Sequence, residues 1–334
     1  MATIRDVAKE ANVSITTVSR ILGSESEKYK FDDDTRSRVL TATAKLNYSV
    51  PENYRRKKNI ACVTSLTAEM HADSYYQSIQ SGLKSELSKH NYSLTYIHTK
   101  YDFDDREIRE KIFSQKIEGF VLMTNIADHT LDIIKQLTTN IVCVDTNILD
   151  YDNIRYNRFE AGCHAMKHLI NNNHKKIAFV GSHMRQNFSL QFGRFDAYRT
   201  MLKRYDLKVN PNWIVDCKWQ QQLCYDKTKY LLKSENVPSA IFFASDYMAI
   251  AGYRAILDSQ KNIPNDVSVI GISDISEAKN LSPALTTIEI PKEEIGRITA
   301  QTLLARIHGD NTIPKQIYVP TNLVDRMSVL RIKQ

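Results

Sequence analysis

Four residues near the start of the chain have the types and spacing of side chains that read nucleic-acid bases. Ser14 is a favoured helix N-cap, and Ile15, Thr16 and Arg20 follow it within two helical turns. Arginine can bond guanine through two N–H groups, threonine can donate or accept, and isoleucine can contact a thymine methyl group. The spacing therefore predicts a helix whose N-terminal part enters the major groove of DNA.

Plainer interpretations of these residues stay open from the sequence. Ile15 lies on the same helical stripe as Val18 and Leu22, so it can belong to the core. Thr16 and Arg20 can be ordinary solvated surface. Phosphate contacts position a protein without reading bases. Hydroxyl side chains placed for such contacts are Thr3, Ser14, Thr17 and Ser19.

Three helices must position these side chains. Ile4, Val7, Ala8 and Ala11 form one apolar stripe, which predicts a first helix. The second helix begins after Ser14, and the short junction between the two predicts a helix-turn-helix. A third helix begins near Asp32-Asp33-Asp34, where acidic residues suit a helix N-terminus, and ends near Tyr48. Residues 1–48 are thus predicted to be a DNA-binding headpiece.

A basic segment at residues 49–59 follows the headpiece. It lacks an apolar period and contains Pro51, so it is predicted to be a linker. Residues 1–58 contain twelve Lys and Arg against eight Asp and Glu, more than half of the chain's net charge of +7. This balance favours a polyanionic partner. The side chains expected to hold phosphates electrostatically are Arg55, Arg56, Lys57 and Lys58.

From residue 60 onward, short apolar runs alternate with amphipathic stretches. Such alternation predicts an α/β fold with parallel sheets covered on both faces, here two doubly wound lobes. Their predicted bounds are roughly 60–157 plus 290–320, and 158–289 plus 321–334. Ligands of such sheets bind at the carboxyl ends of the strands, in the crevice between the lobes.

Metal and enzyme chemistry find little support. His164 and His168 share a helix face beside Cys163, but no glutamate accompanies them as in a His-Glu-x-x-His site, so no metal is predicted. Phosphate-binding, dinucleotide-binding and hydrolase motifs are missing, which predicts a non-enzyme without a cofactor. The five cysteines are expected to be free thiols. With no apolar run near 18 residues and no signal peptide, a cytoplasmic, nucleoid-associated protein without membrane contact is predicted.

Several segments resemble the LacI/GalR family of bacterial regulators. The resemblance is carried by residues 2–14 and 17–22, and continues through Ala244–Ile250, Ile263–Asp274 and Pro283–Ile288. It implies a large domain like the periplasmic sugar-binding proteins, whose two lobes close on a ligand. It also implies a homodimer on a pseudo-palindromic operator, released when a small sugar binds. No leucine heptads follow Arg331, so a tetramerisation helix is not expected.

A narrower resemblance is to the galactose and β-galactosidase operon repressors, through Ser245-Asp246 and residues 194–200. It implies galactose or a galactoside as effector, stacked on Trp219 and bonded by Arg194. Trp219 can instead be a core residue, and Arg194 can belong to a structural ion pair. The other implied effector contacts are Tyr75, Asp145, Ser245, Asp246, Ser273 and Asp274.

Two departures from the family pattern affect these expectations. Serines stand at 245 and 273, where other members often carry asparagine and aspartate, so the hydroxyl pattern read from the sugar is expected to differ. The linker lacks the Ala-Arg-x-Leu that places a leucine wedge in the minor groove; only Val50 or Tyr54 could replace it. We predict that no wedge is inserted.

The favoured interpretation is an inducible repressor of a carbohydrate-utilisation operon. An activator or a corepressor-dependent regulator of the same fold remains open, because no motif encodes the sign of the coupling between the sites. A plain sugar-binding protein is the less favoured alternative, since it would need a signal peptide and would have no helix-turn-helix.

Overall fold

The computed structural model describes residues 2–23, 31–49, 58–64, 73–98, 116–182 and 193–333, together with 107, 110, 112 and 114. The alternating sequence pattern also predicts a helix near residues 105–116, most of which lie outside the described residues. Within the described ranges, no helix is long and apolar enough to span a lipid bilayer.

The headpiece contains the three predicted helices. They are α1 (Ile4–Glu10), α2 (Ile15–Leu22) and α3 (Asp33–Lys45). Thr3, Ser14 and Asp32 cap them, each side chain accepting a hydrogen bond from a backbone N–H in the first turn. The helices enclose a small core of its own, made of Val7, Ala8, Ala11, Val18, Ile21, Val39 and Ala42. Caps and one apolar stripe per helix are thus enough to explain this unit.

The remaining elements follow in alternation along the chain. The strands are β1 (Lys58–Thr64), β2 (Tyr92–His98), β3 (Ile117–Leu122), β4 (Ile141–Val144), β5 (Asp152–Tyr156), β6 (Ile177–Gly181), β7 (Ile214–Asp216), β8 (Ala240–Phe243), β9 (Ser268–Ser273), β10 (Thr286–Glu289), β11 (Gln316–Val319) and β12 (Asn322–Val324). The helices are α4 (Ser74–Lys89), α5 (Asp128–Leu137), α6 (Arg158–Asn171), α7 (Arg194–Arg204), α8 (Gln221–Leu231), α9 (Asp246–Leu257) and α10 (Lys292–Ile307). Short 3₁₀ helices occupy Pro211–Trp213 and Ala278–Asn280.

These strands form two six-stranded sheets among the described residues. The first has the order β11-β5-β4-β3-β1-β2 and is parallel throughout. The second has the order β12-β10-β9-β8-β6-β7, in which only β12 runs antiparallel. Helices α4, α5 and α10 accompany the first sheet, and α6 to α9 the second. The predicted fold class is confirmed.

The chain passes between the sheets after β5, after β10 and after β11. The strand that opens the first sheet begins at Lys58, so it includes residues 58 and 59 of the predicted linker. Lys58 is in parallel register with Tyr92 of β2, which extends the strand toward the headpiece. The linker bound at residue 59 was therefore two residues too long.

Two glycines let helices α4 and α10 touch through their backbones. A Cβ on Gly82 would lie 2.0 Å from the carbonyl oxygen of Glu293, and one on Gly296 would lie 2.1 Å from that of Ile79. Any side chain there would force the helices apart. This close packing holds the first turn of α10, which starts at Lys292, beside the helix that carries Tyr75.

Candidate functional site

Helix α2 presents the predicted base-reading residues to solvent. Ile15 is 46% exposed, and Thr16 and Arg20 are exposed, while Val18 and Ile21 of the same helix are buried in the headpiece core. Ile15 therefore does not belong to the core, which removes one of the plainer interpretations. A half-exposed isoleucine at a helix N-terminus is an apolar contact available to a partner.

Three of the four hydroxyl residues predicted for phosphate contacts, Thr3, Ser14 and Thr17, lie at the N-terminal ends of α1 and α2. The hydroxyl and the backbone N–H of Thr3 both donate to Asp6 Oδ2 at 2.7 Å, and these two hydrogen bonds lower the pKa of Asp6. The hydroxyls of Ser14 and Thr17 are 2.8 Å apart. Ser19 is half-buried. Helix N-termini with exposed hydroxyls are suited to phosphate oxygens.

The basic linker is only partly visible. Arg55, Arg56 and Lys57 lie outside the described residues, as do both possible wedge residues. Lys58 lies in β1 and donates to Glu118 at 3.1 Å, a bond that raises the pKa of its ammonium group. Lys58 thus has a partner within the first sheet, and its phosphate contact stays a prediction.

A second candidate site lies where strands of the first sheet end. Tyr75 occupies the first turn of α4, and Asp145 follows β4 with a left-handed φ of 54°. The two residues line one cavity, although β3 separates the strands β1 and β4 that they follow. Burial raises the pKa of Tyr75 well above its usual value, so it stays a neutral hydroxyl. The other lining residues are Tyr76, Ile79, Met123, Val144 and Arg158.

Arg158, the first residue of α6, binds Asp145. Its Nη2 donates to Asp145 Oδ2 at 2.6 Å. The second carboxylate oxygen, Asp145 Oδ1, is buried and has no hydrogen-bond partner among the described residues. An unpaired buried acceptor costs stability, and a ligand hydroxyl would satisfy it.

Arg194 packs against two aromatic side chains, Trp219 and Tyr156. The Arg194 guanidinium lies 5.6 Å from the Trp219 ring centre and 5.8 Å from that of Tyr156, and it donates to the Tyr156 hydroxyl. Its Nε is buried without a hydrogen-bond partner in the described part of the chain. Trp219 is 39% exposed, so it is not a core residue. No carboxylate lies within ion-pair distance of Arg194 in the described ranges, which argues against a purely structural ion pair.

The four predicted residues after β8 and β9 serve the structure in different ways. Ser245 caps α9, accepting from the Met248 N–H at 3.2 Å. Ser273 is buried, and its carbonyl accepts from Lys292. Asp274 forms an ion pair with Arg326 at 2.8 Å. Ser245, Ser273 and Asp274 thus place polar groups at the carboxyl ends of β8 and β9.

Asp246 does not fit the predicted role of an effector contact. It is fully buried, with Oδ1 accepting from the Thr287 hydroxyl at 2.6 Å and Oδ2 from the Ile275 N–H at 3.1 Å. Gly271 leaves the room that this carboxylate occupies, because a Cβ there would lie 2.0 Å from Oδ1. We therefore assign Asp246 to the internal support of the loop after β9.

Polar contacts join the two lobes beside the site. Ser74 at the start of α4 donates to Glu277 Oε2 at 2.8 Å. Lys292 donates to the carbonyl of Asp274 at 2.9 Å, and burial lowers the pKa of its ammonium group. Burial raises the pKa of Asp73, although Arg194 opposes this effect. The crevice is thus lined by charges of both signs.

The comparisons with known proteins agree with this architecture. Residues 3–50 match the model of bacterial regulatory proteins of the lacI family, and residues 166–329 match that of a periplasmic binding protein-like domain. The chain is 28% identical over 342 residues to the ribose operon repressor of Haemophilus influenzae, covering all of both chains. It is 29% identical to the transcriptional repressor PurR of Mannheimia succiniciproducens, covering 99% of this chain and 100% of that one.

Among solved structures, the lac repressor dimer bound to operator and the anti-inducer ONPF superposes with a TM-score of 0.70. It is 23% identical, with 98% of this chain and 99% of that chain covered. The chain is a transcriptional regulator of the LacI family.

This LacI-family regulator shows no special likeness to galactose operon repressors in the two relatives named above, whose names point to ribose and to PurR. The narrower resemblance is therefore not supported by these relatives.

The described residues contain no group of three His, Cys, Asp or Glu side chains that could hold a metal ion. His168 instead lies 3.4 Å from Asp325.

Several site residues of the regulator were missed in the sequence. Arg158 and Tyr156 lie at the junction of β5 and α6, and β5 is no apolar run because three of its five residues, Asp152, Asn153 and Arg155, are polar or charged. Tyr76 and Lys292 were also missed. A strand prediction at 152–156 would have placed Tyr156 and Arg158 near the end of a parallel strand, where ligands bind.

Replacing Arg20 with alanine is expected to remove base discrimination at one position of each operator half-site. The loss should be about 1–3 kcal/mol, because a bidentate arginine–guanine contact contributes that much. Selection of bound sequences from a random DNA library, compared for wild-type and variant protein, measures it. Arg36→Ala, which removes the same charge from exposed α3, should keep the base preference. An unchanged preference in Arg20→Ala would show that Arg20 contacts no base.

Proposed function

We propose that this regulator is a homodimeric repressor that binds a pseudo-palindromic operator through α2 and leaves it when a sugar binds between its lobes. The observation that carries the proposal is the pair of unsatisfied buried groups in the crevice, the acceptor Asp145 Oδ1 and the donor Arg194 Nε. A polyhydroxylated ligand supplies both a hydroxyl donor and an acceptor to such a pair.

The aromatic surroundings support a sugar as the ligand. Trp219 offers a partly exposed ring, and the cavity beside Asp145 has tyrosine and aliphatic walls. Sugars bind through stacking on an aromatic face combined with directed hydrogen bonds, and this combination is present here. Galactose, a galactoside and ribose are the candidates, the first two from the narrower resemblance and the third from the ribose operon repressor relative.

Coupling between the operator-binding headpiece and the effector site follows from the chain passing three times between the two sheets. A ligand that binds both lobes changes their angle, and a homodimer translates this change into headpiece spacing. Only a ligand with different affinities for the two arrangements shifts their equilibrium. Contacts such as Ser74 with Glu277 favour one of these arrangements.

The test combines ligand binding with DNA release. Thermal unfolding of the full-length protein is measured with D-galactose, lactose, D-ribose, D-glucose, cellobiose and a purine base. A sugar at a hundred times its dissociation constant should stabilise the protein by about 2.7 kcal/mol. The same sugar should release the protein from DNA enriched from a random library. Stabilisation by the purine base alone, or tighter DNA binding with the sugar, would contradict an inducible sugar-responsive repressor.

A further inference from the structure

The ion pair between Arg158 and Asp145 joins residues that follow two neighbouring strands of the first sheet, β5 and β4. Asp145 follows β4 of the first sheet, whereas Arg158 begins α6, which packs against β9 and β10 of the second. The Arg158 side chain is 34% exposed and that of Asp145 is 16% exposed. Since both residues also line the cavity, the pair stands at the crevice itself.

Arg158 determines how the carboxylate is presented. Its Nη2 donates to Asp145 Oδ2 at 2.6 Å and also lies 3.4 Å from the Asp145 carbonyl oxygen. One guanidinium group thus binds the side chain and the backbone of a residue held in the left-handed region. The consequence is that Oδ1 alone is left for a ligand.

We propose that Arg158 is a positioning residue that sets the specificity of the crevice for a neutral ligand with a hydroxyl donor at Asp145 Oδ1. This inference rests on the proposed effector site and goes further by defining the ligand's charge. A ligand carboxylate or phosphate at this point would meet Oδ1, a like charge, while the neighbouring guanidinium is already bound to Oδ2. Free sugars are selected, and sugar acids and sugar phosphates are rejected.

The walls of the cavity agree with a neutral ligand. Tyr75 and Tyr76 stay protonated, since burial raises the pKa of Tyr76 to about 12. Ile79, Met123 and Val144 add apolar surface. Among the residues that line this cavity, Arg158 and Asp145 are the charged ones, and they neutralise each other. Arg194, which has no carboxylate partner among the described residues, does not line this cavity, so this wall lacks the free positive charge that a buried anion would need.

A double-mutant cycle distinguishes a positioning role of Arg158 from a merely structural ion pair. The effects below are those expected of a positioning residue. Arg158→Gln should weaken the binding of a neutral sugar about 10- to 100-fold, because the carboxylate is no longer held in place, and Arg158→Lys should restore most of the affinity. In an Asp145→Asn background, Arg158→Gln should change the affinity less than threefold, since its effect runs through Asp145. Arg297→Gln, which breaks the exposed pair with Glu294 on α10, is the control and should change nothing.

The experiment is calorimetric titration of the full-length protein and these variants. The probes are D-galactose with D-galacturonate, D-glucose with D-glucuronate, and D-ribose with ribose 5-phosphate. Wild-type protein should bind the neutral member of each pair at least tenfold more tightly than the charged member. Asp145→Asn should reduce this difference in affinity.

Equal binding of a sugar and its acid, or additive effects of the Arg158 and Asp145 substitutions, would overturn the inference while leaving the sugar site in place. No binding of any neutral sugar to wild-type protein would overturn the proposed function as well. Where Arg158→Gln does not fold, Arg158→Lys and the double variant, which leaves no buried charge unpaired, complete the cycle.

Discussion

Replacing Arg194 with alanine is expected to abolish the response to the effector while leaving operator binding intact. The guanidinium donates to Tyr156, lies over the Trp219 ring and keeps its Nε for the ligand. A hydrogen bond from a charged group contributes about 1.5–3 kcal/mol, so losing it should weaken effector binding by roughly 10- to 100-fold. Headpiece contacts are separate, so the operator dissociation constant should stay within about twofold.

Operator binding and its release by a sugar titration measure this effect. Arg199→Ala is the matched control, because Arg199 lies on the same helix but stacks on Phe195 instead of the site aromatics. It should respond to the sugar like the wild-type protein. An Arg194→Ala protein that still leaves the operator at the usual sugar concentration would rule out Arg194 as an effector contact.

The second large effect concerns Asp246 and the pH dependence of stability. Burial raises the pKa of this carboxyl group to about 7, from an ordinary value of 3.8. Between about pH 4 and pH 7, the folded protein therefore keeps a proton on Asp246 that the unfolded chain has already released. Because the folded state binds more protons there, the free energy of unfolding should fall as the pH rises through this range, by at most about 4 kcal/mol.

Asp246→Asn should flatten this decline. An amide still accepts from the Ile275 N–H through its oxygen and can donate to Thr287, so the fold is retained. Urea unfolding at pH 5 and pH 8 gives the two free energies to compare. Asp266→Asn, at an exposed position bonded to Asn262, should leave the decline in place. An equal decline in the wild-type protein and Asp246→Asn would show that Asp246 is not its source.

The headpiece could be predicted from the sequence almost residue by residue. Its signals are local: Ser14 caps α2 through the N–H of Thr17, three residues away, and the buried face of each helix follows the 3.6-residue period. Strands β1, β3, β4, β6, β8 and β9 were equally visible, since each contains a buried apolar run. Short or polar strands such as β5 and β11 were not.

Strand β5 illustrates why these strands escaped detection. Asp152 and Arg155 are 2% and 1% exposed, which no local pattern suggests. Asp152 is paired with Arg306 at 2.6 Å, a residue of α10 that is remote in the chain. Burial of a charge is tolerated only when a partner is supplied, and here tertiary packing supplies it.

The candidate effector site also has residues that could be predicted from the sequence and contacts that only the folded structure shows. Tyr75, Asp145, Arg194 and Trp219 could be placed in a crevice from the family resemblance and from the rule that ligands bind at strand ends. The sequence alone could not exclude Asp246 or pair Asp145 with Arg158, because both depend on which groups lie within hydrogen-bond distance after folding, here 2.6 Å for Thr287 with Asp246 and for Arg158 with Asp145. Hydrogen bonds and ion pairs act over such short distances that only the tertiary structure decides which polar side chains remain unsatisfied and free to bind a ligand.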